Sequence, residues 1–217
     1  MFAQRVIQPE LMDHAPPEVA RRNLNYLIRI NRNFGGHFVL KQMVSRVIRK
    51  DERFSLLDIG AASGDTARVL QAAYPGARIT SLDYNAVNLH AAPRPKVLGD
   101  AFALPFPPES FDYVMCSLFL HHFADEGIVG LLRNFYALAR RALLISDLER
   151  SIFPYYFLPI TRLIYKWDRI TVHDGMISVR AAFRKRELLK LAREAGIPHP
   201  EMRVHRPAFR IELIGRK

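Results

Sequence analysis

Residues 56–70 read LLDIGAASGDTARVL, and the rest of the chain can be placed from them. A short apolar run from Phe54 to Ile59 predicts a buried strand. It breaks at Gly60-Ala61-Ala62-Ser63-Gly64, and a helical pattern resumes at Thr66 with Val69 and Leu70 on its apolar side. Strand, tight turn of small residues, helix: that order is the first corner of a doubly wound α/β sheet. Gly60 permits a sharp turn, Ala62 keeps side-chain bulk low above it, and Gly64 is expected to let the helix pack closely on the sheet. Such turns follow buried strands in many α/β proteins, so the corner alone decides a fold class and no function.

Further features follow at fixed distances. A second apolar run, residues 77–82, ends in Asp83, twenty-three residues after Gly60. A carboxylate at the end of a second strand is placed to accept hydrogen bonds from two ribose hydroxyls. A short run at residues 96–98 leads into Gly99-Asp100-Ala101-Phe102, and SFDYVMCS at residues 110–117 predicts a fourth strand. With these motifs in this order the chain resembles the class I S-adenosylmethionine-dependent methyltransferases. Their acidic-x-Gly-x-Gly-x-Gly pattern is met by Asp58-Ile59-Gly60-Ala61-Ala62-Ser63-Gly64, with alanine in place of the middle glycine. ALPFPPESFDYV (residues 103–114) is similar to the link between third and fourth strands in the ubiquinone/menaquinone-type branch. HDGMISVRAAF (residues 173–183) resembles a segment of small methyltransferases that accompany type III polyketide synthases.

The resemblance covers residues 36–148 best. It implies a Rossmann-like, doubly wound, seven-stranded sheet, mostly parallel with an antiparallel last strand. N-terminal helices would precede the sheet, and a helical insert would come before the last two strands. The expected organisation is a single methyltransferase domain over residues 1–217. Within it, residues 1–50 form a helical cap, 51–148 the cofactor-binding core, 149–183 a substrate-side insert, and 184–217 the last helix and strand pair. The cofactor implied is S-adenosyl-L-methionine. Gly60, Ala62 and Gly64, with Ala61 in the same loop, would border its methionine part, and Asp58 would help order that loop. Asp83 would take the ribose, Tyr84 would lie beside the adenine, and Asp100 would accept from the adenine amino group. Ala101 and Phe102 would contact the ring, and Ser117 would lie beneath the transferring methyl.

Composition bounds the remainder. The 217 residues are 49% hydrophobic and 24% charged, enough for one domain with a large core. No apolar run reaches the ~20 residues of a membrane span, and MFAQRVIQPELMD lacks the apolar core and cleavage site of a secretory signal. A single cysteine, Cys116, forms no internal disulfide and is expected to serve packing, which suits a reducing cytoplasm. The net charge of +11 is uneven: residues 133–217 hold eighteen Lys/Arg against eight Asp/Glu. A basic surface favours anionic partners or is simply a solvated face.

Taken in order, residues 1–17 contain three prolines and no period, and read as a loose arm. Pro16-Pro17-Glu18 opens a helix that Gly35-Gly36 ends. Phe38, Leu40, Met43, Val44, Val47 and Ile48 mark one face of a second helix. Further helices are expected over residues 64–74, 84–91 and from Asp125, and a fifth strand over residues 142–145. SIFPYYFLPITRLIYKWDRI (residues 151–170) is an aromatic insert. It would cap the sheet, line a site for a lipophilic substrate, or touch a membrane surface. Val172-His173-Asp174-Gly175 reads as a turn.

Methyl transfer from a sulfonium needs near-attack geometry, exclusion of water and, for a hydroxyl or acidic carbon acceptor, a base. His121 and His122, after the fourth strand, and His173 beside Asp174 are the candidates for that base. Paired histidines also occur there as structural caps. Substrate-side candidates are His173, Ser178 and Arg180. Reading along the chain suggests no metal site. The expectation is a cytoplasmic enzyme, monomer or homodimer, methylating a small lipophilic phenol, quinol or polyketide-type acceptor on oxygen or carbon. A peripheral membrane contact is compatible with it, and nucleic acid is not favoured. Alternatives are an RNA or protein methyltransferase using the basic C-terminal part, or a cofactor binder without turnover.

Overall fold

The computed structural model describes residues 2–217. Its frame is a seven-stranded sheet in the order β3-β2-β1-β4-β5-β7-β6. The strands are β1 (Phe54–Ile59), β2 (Ala77–Asp83), β3 (Lys96–Leu98), β4 (Phe111–Ser117), β5 (Ala139–Leu148), β6 (Glu201–His205) and β7 (Arg210–Arg216). The first five in spatial order pair in parallel, and β7 runs antiparallel to both β5 and β6. The expected seven-stranded, mostly parallel architecture is therefore the observed one. Central parallel strands are covered on both faces, which is why β1 and β4 read as nearly continuous apolar runs. On β1, Leu57 and Ile59 join a core with Val114, Leu132, Phe135 and Leu188, whereas Phe54 and Leu56 join Met43, Val44, Leu70 and Tyr113 on the other side.

The covering helices are α1 (Pro17–Asn33), α2 (Gly36–Ser45), α3 (Asp65–Ala73), α4 (Ala86–Leu89), α5 (Asp125–Leu138), α6 (Ile152–Tyr165), α7 (Arg169–Ala181) and α8 (Lys185–Glu194). Pro17 sits in the first turn of α1, where its missing N–H costs nothing. Among the described residues, no helix is long and apolar enough to cross a membrane.

Four expectations are corrected. The arm is not loose: the Val6 N–H donates to the Arg180 carbonyl, and the Leu11 and Met12 N–H groups donate to the Asp174 carboxylate, each at 2.9–3.1 Å. Val172–Gly175 is no turn; it lies inside α7, whose start is capped by Asp168 accepting from the Thr171 N–H at 2.7 Å. Phe38 points to solvent while Val39, Leu40, Met43 and Val44 carry the buried face of α2. The fifth strand extends well beyond residues 142–145, because β7 pairs with it from Ala142 to Leu148.

Candidate functional site

At the C-terminal edge of the parallel strands, where the strand order reverses between the adjacent β1 and β4, lies a cavity of about 1420 Å³. That edge, at the switch in strand order, is where open α/β sheets bind ligands. Its floor is the loop after β1. Gly60 is left-handed at φ +70°, and a Cβ there would lie 2.3 Å from the Phe119 ring. Gly64 is also left-handed, and its Cβ would meet Pro93 at 2.5 Å and the Ala92 backbone at 2.9 Å. The close approach at Gly64 is thus to the segment after α4 and not, as expected, to the sheet. Ala62 holds φ +45° without glycine's freedom, and its N–H donates to Asp83 Oδ2 at 2.8 Å. Gly60→Ala is expected to cost about 2 kcal/mol or more, since Phe119 must move and the backbone is strained. Thermal unfolding against wild type checks this.

Asp83, at the end of β2, is buried, 6% exposed. Its carboxylate accepts from the Ala62 and Asn85 N–H groups at 2.8 Å, so it binds the two loops together as well as facing the cavity. Burial raises its pKa, and the backbone hydrogen bonds partly oppose this. Asp58 is buried behind the loop, and its Oδ2 has no hydrogen-bond partner among the described residues. Burial, then the charges of Asp83 and Asp65, push its carboxyl up to about 8. A buried carboxyl without a compensating cation beside two further carboxylates is a place where a positive ligand group is stabilised.

Gly60, Ala61, Ala62, Asp83, Tyr84, Asp100, Ala101, Phe102 and Ser117 all face the cavity, whereas Asp58 and Gly64 stand behind it. Asp100 is exposed and its Oδ1 accepts from the Phe102 N–H at 2.9 Å. The Phe102 ring packs edge-on against Phe123.

The opposite end of the cavity is built from distant parts of the chain. His121 and His122 lie on a short 3-10 turn, Leu120–His122, after β4. His121 Nδ1 bonds Asp147 Oδ1 at 2.6 Å, and Asp147 Oδ2 accepts from the Leu120 N–H at 3.0 Å. Burial pulls the His121 pKa down, but the charge and hydrogen bond of Asp147 outweigh it and hold it above its ordinary value. Asp147 stays well ionised in return, against the burial that raises it, because of His121 and the Leu148 N–H. The His122 ring lies 4.2 Å from that of His121, and desolvation followed by the His121 charge keeps it well below its ordinary value.

Glu10, from the arm, is buried at this end. It accepts from the Ser178 hydroxyl and sits 3.8 Å from His122 Nδ1. Possible metal-ligand atoms of Glu10, His121 and His122 lie within 4.8 Å of one another, a grouping invisible along the chain. Ser178, Asp174 and Gly175 of α7 line the cavity. His173 and Arg180 are not among its lining residues, and the His173 side chain is 47% exposed with Nδ1 3.0 Å from Asp174. The structure therefore does not bring His173 to the site as a base or a substrate contact. Phe153, Tyr156, Phe157 and Ile160 of α6, with Phe34 and Phe209, form an aromatic wall. Cys116 is buried in β4, as packing required, with its thiol pushed up by burial.

Residues 57–141 match the family model described as a methyltransferase domain. No protein of curated function matches the chain. Among solved structures, the plantazolicin methyltransferase BpumL in complex with SAH is 13% identical, with 92% of this chain and 89% of that one covered at a TM-score of 0.67. The human N-acetylserotonin methyltransferase in complex with SAM is 20% identical over 76% of this chain and 48% of its own, at 0.54. The Synechocystis magnesium protoporphyrin IX methyltransferase with bound SAH is 17% identical, with 84% of each chain covered, at 0.56. The chain spans about half the length of several first matches, including 55% of a Nostoc punctiforme chain. At these identities the likeness is one of fold.

Proposed function

We propose, taking the methyltransferase domain of residues 57–141 as the premise, that this chain moves a methyl group from S-adenosyl-L-methionine to a small lipophilic acceptor. The observation that carries this is the single cavity, with carboxylates and backbone groups at one end and a buried histidine within an aromatic wall at the other. The residues fit the cofactor: Asp83 for the ribose hydroxyls, Asp100, Ala101 and Phe102 for the adenine, and the loop from Gly60 to Ala62 for the methionine part. The uncompensated Asp58 carboxyl behind that loop suits the cofactor's positive charge. When bound, S-adenosyl-L-methionine supplies a methyl group already activated by its sulfonium.

The protein's own work is positioning and proton removal. Ser117 and Leu118, where β4 ends, line the cavity and lie in the chain between the loop after β1 and the histidine turn. His121 donates its Nδ1–H to Asp147, which leaves Nε2 as the base toward the acceptor hydroxyl or acidic carbon. A histidine held somewhat above its ordinary value is matched to that task near neutral pH. Glu10 and Ser178 are the polar groups that would orient the acceptor, and the α6 wall selects a phenol, quinol or polyketide-type body. The enzyme works in the cytoplasm, as a monomer or homodimer.

Calorimetric titration of S-adenosyl-L-methionine into wild type and Asp83→Asn tests the cofactor assignment. Asparagine keeps one acceptor oxygen but turns an NH2 donor toward either the Ala62 or the Asn85 N–H, so thermal unfolding of the variant is measured alongside to separate a lost ribose contact from a loosened loop. Affinity is expected to fall by about tenfold or more, the cost of a lost charge-assisted hydrogen bond. Equal binding would remove Asp83 from the ribose role. A screen of alkylated phenols and quinols for methyl transfer tests the acceptor class. Transfer to RNA or a protein and to none of that panel would replace it.

A further inference from the structure

Six large apolar side chains of α6 are exposed: Ile152, Phe153, Tyr156, Ile160, Leu163 and Ile164, the last four being 45–90% open. At 100° per residue they fall within one sector of about 120°, a stripe about 18 Å long. The helix's other side is satisfied: Tyr155 and Leu158 are buried, and Phe157 packs edge-on against Phe34, just after α1. Isolated apolar residues on a surface need no account, but a continuous stripe on one helix does.

Its surroundings are cationic. From Ser151 to Trp167 the sequence holds Arg162 and Lys166 and no acidic residue. Both are exposed, as is Arg169 at the start of α7. Arg29 lies over the Trp167 ring at 5.3 Å beside the helix's end. At the other end Phe153 stacks on Phe209. A second copy seated on this stripe would bring these like charges together, whereas an anionic lipid surface pairs them with headgroups. The stripe is also continuous with the site, since Ile152, Phe153, Tyr156 and Ile160 line the cavity as well.

We infer that α6 is a membrane-docking helix, which lays its apolar stripe into the headgroup–acyl boundary of an anionic bilayer and turns the cavity mouth toward the lipid. Binding to the surface requires neither cofactor nor turnover, so it stands apart from the methyl-transfer reading.

Flotation of the full chain with phosphatidylcholine vesicles, with and without about 30% phosphatidylglycerol, tests this. Wild type is expected to float with the anionic vesicles, less so as salt is raised from about 50 to 500 mM. Leu163→Asp/Ile164→Asp should lower the bound fraction by about tenfold or more while cofactor affinity is retained, since neither residue lines the cavity. Arg162→Glu/Lys166→Glu should abolish the preference for anionic lipid. Failure of wild type to float with either vesicle overturns the proposal, and so does undiminished flotation of the Leu163/Ile164 variant. A concentration-dependent dimer in sedimentation that Leu163→Asp/Ile164→Asp dissolves overturns it too, by giving the stripe to a second copy.

Discussion

His121→Ala is expected to lower turnover by about 10²–10⁴-fold and to leave S-adenosyl-L-methionine affinity within about twofold. His121 stands at the acceptor end, away from Asp83 and the loop after β1, so the two losses separate. A structural cap would behave differently: its loss would unfold the turn after β4 and weaken binding and turnover together. The pH profile discriminates further. As the base, His121 must be neutral, so kcat should rise as pH climbs through its pKa, which Asp147 holds above the ordinary histidine value. Asp147→Asn removes that charge, and the rising limb should then move to lower pH with a lower plateau. A full-rate His121→Ala enzyme with an unshifted profile would end the assignment. His122 makes a poorer base at neutral pH because its pKa is held well below the ordinary value.

The second large effect belongs to Asp58. Its carboxyl is raised to about 8, whereas an unfolded chain ionises it at 3.8. Between those values the folded free protein keeps a proton that the unfolded chain has lost, so stability falls as pH rises and levels off above about 8. Asp58→Asn abolishes this slope and is expected to raise the melting temperature at pH 8 by several degrees, roughly 5 °C. The same change should weaken S-adenosyl-L-methionine binding by about tenfold or more, because the ionised carboxylate is what a cationic ligand needs. In wild type, binding should release a proton and strengthen by about tenfold from pH 6.5 to 8. Calorimetry in buffers of different ionisation enthalpy reads that proton directly. The asparagine variant subtracts the titration of the ligand's own amine. Unchanged affinity and a lower melting temperature in Asp58→Asn would show that the carboxyl serves the fold instead.

What could be read from the chain, and what could not, follows from the range of the interactions. The strands of the sheet are apolar runs, and the loop from Gly60 to Gly64 is local chemistry, so both were legible, as was Asp83 at its strand end. The acceptor end was not. Glu10 looks like one residue of a proline-spaced arm until Ser178, 168 positions later, donates to it. Asp147 falls two residues beyond the strand expected over residues 142–145, and its bond to His121 spans 26 residues and arises because β5 lies beside β4 in register Ser117↔Ser146. Two neighbouring strands that both end in polar residues were the signal available. His173 and Asp174 look like a turn because Gly175 follows; tertiary packing keeps them helical, and the cavity wall receives Gly175 against Leu158 instead of a histidine. The basic C-terminal part is less free than its composition suggests: Arg150 pairs with Glu187, Arg206 with Glu149 and Arg216 with Glu201.

The docked arm also sets an order of events during synthesis. Residues 5–12 are made well before several of their partners: Asp174, Arg180 and Ala181 lie more than 160 positions downstream, and Asp125, which pairs with Arg5, lies 120. Until α7 has left the ribosome the arm lacks its bonds to Asp174, Arg180 and Ala181 and keeps at most those of Arg5 to Asp125 and to the His121 and Phe123 carbonyls, whereas the strands from β1 to β4 are already made. The end of the cavity at the loop after β1 therefore draws on segments made close together in time, whereas the end built by Glu10 and Ser178 is completed only once α7 is made.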